Sequence, residues 1–175
     1  KTLMEELATL QSKFEENLLD ATNAWSRHVT DEALLAGLPE GLVDRAREAA
    51  EAAGKDGWLF TLDFPTYHGV LTYADDRSLR REVYEAWVTR ASDQGPHAGR
   101  WDNTTVMERI LGLRHEAAVL LGFDNFAQYS LATKMARTTA EVMGFLEQLA
   151  ERSVPQARRE LADLEAFARE TDGRA

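Results

Sequence analysis

The sequence predicts a mainly α fold, a multi-helix bundle-like arrangement of about six or seven helices with one short β-strand near residues 58–62. Three observations carry this. Apolar residues recur at steps of three and four over most of the chain, helix-capping residues stand before several of those runs, and only one run has the aromatic and apolar character of a strand.

Leu3, Leu7, Leu10, Phe14, Leu18, Ala21 and Trp25 align along one face of a long opening helix. Such a face needs a cover. The periodicity is already running at residue 3 without a capping residue in place, and the chain starts on Lys1, so the segment reads as cut from a longer polypeptide. Thr30 is expected to cap a short turn over residues 31–36 closed by Gly37, and Pro39 suits the first turn of a helix running to about Ala53, with Gly54 ending it. The run Trp58-Leu59-Phe60-Thr61-Leu62 follows the turn Lys55-Asp56-Gly57 and stops at Pro65. A lone strand cannot satisfy its own backbone, so its partner is expected from outside the chain or from a second copy.

Residues 67–74 read as a short helix. Asp75 or Asp76 then caps a longer one, ending near Ala91, with Leu79, Val83, Ala86 and Trp87 facing inward. Residues 92–103 hold Asp93, Gly95, Pro96, Gly99, Asp102 and Asn103, which marks a loop at the long end of what compact domains use. Asn103 is expected to cap the helix over residues 104–121, which Gly122 and Phe123 terminate. A further helix follows Asp124, with Phe126 and Leu131 as core candidates. Thr138 and Glu141 have capping-box spacing before a last long helix whose inner face is read as Val142, Leu146, Leu149, Leu161, Leu164 and Ala168. Pro155 should kink or restart that helix.

Composition narrows the function. Hydrophobic residues at 44% and charged residues at 29% suit a folded, water-soluble domain. The formal net charge of −10 argues against nucleic acid as a partner, and the basic clusters of residues 77–81 and 152–159 are bordered by Glu82, Glu151 and Glu160. The chain has no cysteine, so it builds neither disulfides nor thiolate metal sites; no apolar run approaches a membrane span, and a cytoplasmic location is expected.

Catalytic motifs are missing from the reading. His115-Glu116 resembles the first half of His-Glu-x-x-His, the zinc-binding pattern that puts two imidazoles one helical turn apart, but the fifth position is Val119, which has no lone pair to donate. His28, His68 and His97 each lack a second histidine at ligand spacing. Asp75-Asp76 and Asp31-Glu32 stand where helix starts favour negative charge. Neither a nucleophile elbow nor a phosphate loop occurs.

The stretch from Thr89 through Ser92-Asp93-Gln94-Gly95-Pro96-His97-Ala98-Gly99-Arg100-Trp101-Asp102-Asn103 resembles the thimet oligopeptidase-like family of zinc metallopeptidases. Flanking matches keep family order: Lys13-Phe14-Glu15-Glu16-Asn17, Ala36-Gly37-Leu38-Pro39-Glu40, Thr61-Leu62-Asp63, Leu120-Leu121-Gly122-Phe123 and Ser130 to Ala136. The resemblance implies a zinc endopeptidase with a deep channel between two helical lobes that hydrolyses short peptides, signal-peptide fragments among them, in the cytoplasm. It also implies that the whole 1–175 segment is one helical piece lying before the His-Glu-x-x-His motif. On that reading the zinc and every catalytic residue belong to a missing C-terminal half, and the isolated chain is inactive and prone to self-association through its first helix or strand edge. Trp58, Phe60, Asp93, Gln94, His97, Arg100 and Trp101 are the candidates for a channel or lobe-interface surface, because the strand needs outside pairing and the loop is long and polar. The alternatives are a stand-alone helical interaction module that docks a partner helix on the Leu3 to Trp25 stripe, and a structural relative without a zinc half.

Overall fold

The computed structural model describes residues 2–172. In chain order it contains α1 (Thr2–Ala24), β1 (Ser26–Val29), a 3-10 turn (Glu32–Leu35), α2 (Glu40–Ala52), β2 (Trp58–Thr61), α3 (Phe64–Tyr73), α4 (Arg77–Val88), α5 (Thr104–Leu120), α6 (Phe126–Leu131) and α7 (Thr139–Asp172). The mainly α expectation holds. The chain divides into two compact units, one up to Leu113 and one from Arg114.

In the first unit β2 is not a lone strand. It pairs antiparallel with β1, with Ser26 opposite Thr61, Arg27 opposite Phe60, His28 opposite Leu59 and Val29 opposite Trp58. This corrects the expectation of an outside partner. Ser-Arg-His-Val carries little strand signal of its own; it is extended because the ladder satisfies its backbone and because Val29 is buried. The ring of His28 adds a 2.6 Å hydrogen bond between Nε2 and the Asp56 carbonyl, fastening the strand to the turn that leads into β2.

Phe60, Leu62, Val70, Leu79 and Val83 form the centre of the core, joined by Trp25, Leu35, Leu42, Ala46 and Ala86. Each large member contributes about 1.5–3 kcal/mol by leaving water. Three elements around this core start on aspartates, whereas α2 starts on Pro39 without a side-chain cap. Asp31, rather than Thr30, caps the 3-10 turn by accepting from the Ala33 amide at 3.0 Å. Asp63 accepts from the Thr66 amide at 3.0 Å and starts α3 at Phe64, ahead of the expected residue 67. Pro65 therefore sits in the first turn of a helix, where its missing amide costs nothing. Asp76 caps α4 by accepting from the Leu79 amide at 2.7 Å.

α1 lies against α5 through Leu7, Ile110 and Leu113, flanked by Leu3, Leu10, Phe14 and Val106, with Glu6 and Arg109 paired at 2.7 Å beside them. The apolar stripe is thus covered in part within this unit: Leu7, Ala21 and Trp25 are buried, while Leu3, Leu10, Phe14 and Leu18 are half-buried. One position of the stripe also moves: Asn17, not Leu18, is the buried residue between Phe14 and Ala21.

In the second unit α5 stops where the Phe123 amide reaches back to the Ala118 carbonyl at 3.0 Å across Gly122. Asn125 caps α6, accepting from the Gln128 amide at 3.0 Å. Phe126 and Leu131 are half-buried. The Thr138 hydroxyl accepts from the Glu141 amide at 3.1 Å, while the Glu141 carboxylate takes the Arg137 amide at 2.9 Å, one residue before the reciprocal bond expected of a capping box.

α7 continues as one helix through Pro155. Its predicted inner face is not inner: Leu146, Leu149, Leu161 and Leu164 are exposed, and Val142 and Ala168 are half-buried. Periodicity records that a helix face is apolar. It does not record what lies against it.

Candidate functional site

The site is built on the segment that joins α4 to α5. The Thr89 hydroxyl donates to the Glu85 carbonyl at 2.6 Å and Ser92 Oγ donates to the Thr89 carbonyl at 2.8 Å, which carries the last turn of α4 into the loop. The chain then folds onto itself. The Gly99 amide donates to the Ser92 carbonyl at 3.0 Å, the Arg100 amide to the His97 carbonyl at 3.1 Å, and the Asn103 amide to the Ala91 carbonyl at 3.0 Å. Together these close an Ω-type loop with its ends in contact. Gly95 has φ +81°, and a Cβ added there would lie 1.9 Å from Thr89 Oγ1, so the bend admits no side chain.

Three of the candidate residues come together on this loop. The His97 ring stands edge-on to Trp101 with centroids 5.6 Å apart, and the Arg100 guanidinium lies 4.2 Å above the Trp101 ring. The latter contact contributes about 0.5–1 kcal/mol at an exposed position. Asp93 and Gln94 are exposed on the same loop. Phe60 plays another part. Phe60 has no exposed surface and belongs to the core, so it presents nothing to a channel. Trp58 is half-buried, and its indole Nε1 is buried without a hydrogen-bond partner.

Asn103 does not cap α5 with its side chain. Its Oδ1 accepts from Asn17 Nδ2 at 2.8 Å and its Nδ2 donates to the Phe14 carbonyl at 3.1 Å, with only 1% of the residue exposed. Asp102 supplies the local bonds instead, accepting from the Thr104 hydroxyl at 2.7 Å and the Thr104 amide at 2.9 Å, and these hold its carboxyl below the usual range. At the other end of the loop Arg90 donates from Nη1 to Thr22 Oγ1 at 3.0 Å and from Nε to the Trp87 carbonyl at 3.0 Å. Its guanidinium lies 3.5 Å above the Trp87 ring, which stacks on Tyr67 at 4.3 Å. Burial lowers the proton affinity of Arg90, opposed by the pull of Tyr67, and arginine stays charged regardless.

Beside the loop an open groove of about 300 Å³ is lined by Trp25, Arg27, Glu82, Glu85, Gly95 and Pro96, with Arg27 and Glu82 paired at 2.7 Å. It offers an aromatic and a proline surface next to polar walls. Among the described residues no group of three His, Cys, Asp or Glu side chains stands together so as to hold a metal ion. None of the described helices is long and apolar enough to cross a membrane.

Asn17, Thr22 and Arg90 escape a reading of the sequence. For Asn17 a signal was present: it lies three residues after Phe14 and four before Ala21, a polar residue set into an apolar stripe. Thr22 and Arg90 are 68 positions apart, and no local pattern joins them.

The sequence matches the family model described as "Peptidase family M3" over residues 70–175. Oligopeptidase A of Salmonella typhimurium is 54% identical over 163 residues, covering 93% of this chain and 24% of that protein. Oligopeptidase A of Escherichia coli is 55% identical over 163 residues with the same coverage, and a probable cytosolic oligopeptidase A of Arabidopsis thaliana is 40% identical over 172 residues, covering 94% of this chain and 24% of that protein. The chain spans about a quarter of the length of these curated relatives. A family match over more than half of the chain, in agreement with full-order similarity to three oligopeptidases, places it plainly: this chain belongs to peptidase family M3.

Proposed function

We propose that this chain is a framework segment of a zinc metallo-oligopeptidase that hydrolyses short peptides in the cytoplasm, and that its loop at 92–103 forms part of the substrate-channel wall or the interface between lobes. The observation that carries the reading is the identity of about half of all positions with bacterial oligopeptidases A across 93% of the chain. Bound zinc in such an enzyme supplies a polarised water for attack on a peptide carbonyl. The described residues of this chain do not fit that ion, since no group of three potential ligands stands together among them. Hydrolysis is therefore assigned to sequence beyond the 175 residues, and this chain's part is to hold walls and loops in place. The exposed apolar face of α7, with Leu146, Leu149, Leu161 and Leu164, supports a role inside a larger protein, where such a face would be covered.

The test uses the complete gene product and a quenched fluorescent peptide. Deletion of residues 94–100 is expected to impair peptide turnover, and unchanged turnover would count against a channel-facing loop. The 175-residue chain supplied with zinc is expected to release no product. Hydrolysis that survives rigorous repurification would refute the assignment of the chemistry to other sequence.

A further inference from the structure

The loop at 91–103 is fastened at both ends to the same helix. At its entry Arg90 reaches Thr22, whose own hydroxyl is aimed by donating to the Leu18 carbonyl at 2.7 Å. At its exit Asn103 reaches Asn17 and the Phe14 carbonyl. Phe14 and Thr22 are two turns apart, about 12 Å along α1 at the helical rise. The neck between the two fastenings is closed by the bond from the Asn103 amide to the Ala91 carbonyl.

From this geometry we propose that Asn103, latched to Asn17, is a positioning residue that makes the 91–103 loop one rigid body with α1, so that the loop meets a peptide as a preformed surface and not as a mobile lid. The proposal rests on the peptidase reading only for the identity of what the loop meets. Its physical basis is local. Asn103 uses its acceptor and its donor at once in a site almost closed to water, and few side chains can do both at that length. A buried amide that loses one partner is left unsatisfied, so the pair holds a single geometry. A loop fixed beforehand loses little conformational freedom when a peptide binds, which lowers the cost of binding without touching the chemical step. Asn103 thus acts through the loop.

The experiment combines amide hydrogen exchange with steady-state kinetics on the complete gene product. In Asn103→Ala and Asn17→Ala the amides of Gly99 and Asn103 should exchange about tenfold faster or more, while those of Phe60 and Leu79 keep their protection. KM for the fluorescent peptide should rise several-fold with kcat within about twofold. Thr22→Val loosens the entry in the same way and Thr22→Ser restores it, which keeps the test open if either asparagine variant fails to fold. Unchanged exchange in the loop overturns the latch. A loosened loop with unchanged KM, or with kcat lost instead, overturns the positioning role. Absence of peptide hydrolysis by the wild-type protein defeats the peptidase reading and the substrate part of this proposal, while the exchange data still decide the latch.

Discussion

Replacing Gly57 by alanine should unfold the two-stranded sheet from its tight end. Gly57 has φ +86°, and a Cβ built there lies 2.4 Å from the Val29 carbonyl oxygen, a backbone atom that no side-chain rotation can move aside. Two costs add. The left-handed conformation strains a residue with a Cβ by roughly 1–2 kcal/mol. Restoring an ordinary contact then requires a shift of roughly 1 Å in a carbonyl next to the Val29–Trp58 pair, a form of overpacking that costs about 1–3 kcal/mol. The sum is about 2–5 kcal/mol, a large share of the stability of a small domain. Gly112→Ala is the control of opposite sign. It lies inside α5 with nothing within 4 Å of an added Cβ, so it should stabilise the chain by about 0.5–1 kcal/mol through helix propensity. Urea denaturation followed by fluorescence of the four tryptophans measures both. A Gly57→Ala midpoint equal to or above wild type would refute the reasoning, because neither the strain nor the contact could then exist as described.

Three further outcomes are expected. Phe60→Ala, at a position with no exposed surface, should cost about 3–5 kcal/mol by emptying the centre of the core, against well under 1 kcal/mol for Phe64→Ala on the exposed start of α3. Trp58→Phe should leave stability unchanged or raised by the same urea measurement, because it removes a buried donor that has no acceptor. Asp63 contributes to the pH dependence: burial raises its carboxyl, but bonds from Thr61 and Thr66 and the charge of Arg45 outweigh that and hold it below the usual carboxylate range. A depressed folded value means stability that is complete above the unfolded value near pH 4 and is lost as pH falls through the folded one. Asp63→Asn should therefore be less stable than wild type at pH 7, with the gap narrowing below pH 4 in thermal melts; a constant gap from pH 7 to pH 2 would contradict this.

Local chemistry was legible without coordinates. Gly54 and Gly122 end helices, Asp76 starts α4, and Leu79, Val83 and Ala86 point inward as the spacing of α4 requires. Such signals act within a few residues of themselves, so the chain spells them directly. The order of short matches around the 92–103 loop likewise pointed to the family that the comparisons then established.

Contacts distant in sequence were decided only by folding. Ser26 to Val29 became a strand because β2 stood ready to pair with it, not because Ser-Arg-His-Val prefers extension. Asn103 reads as a cap by position, yet Asn17 is within reach across 86 residues, and a buried amide gains more from two partners that water cannot replace than from one bond at a helix start. α7 has the same logic in reverse. Its apolar spacing is plain in the sequence, but burial depends on what lies opposite, and in this chain those leucines stay exposed. Periodicity and capping are properties of a segment; pairing, latching and burial are properties of two segments brought together, which only the tertiary structure holds.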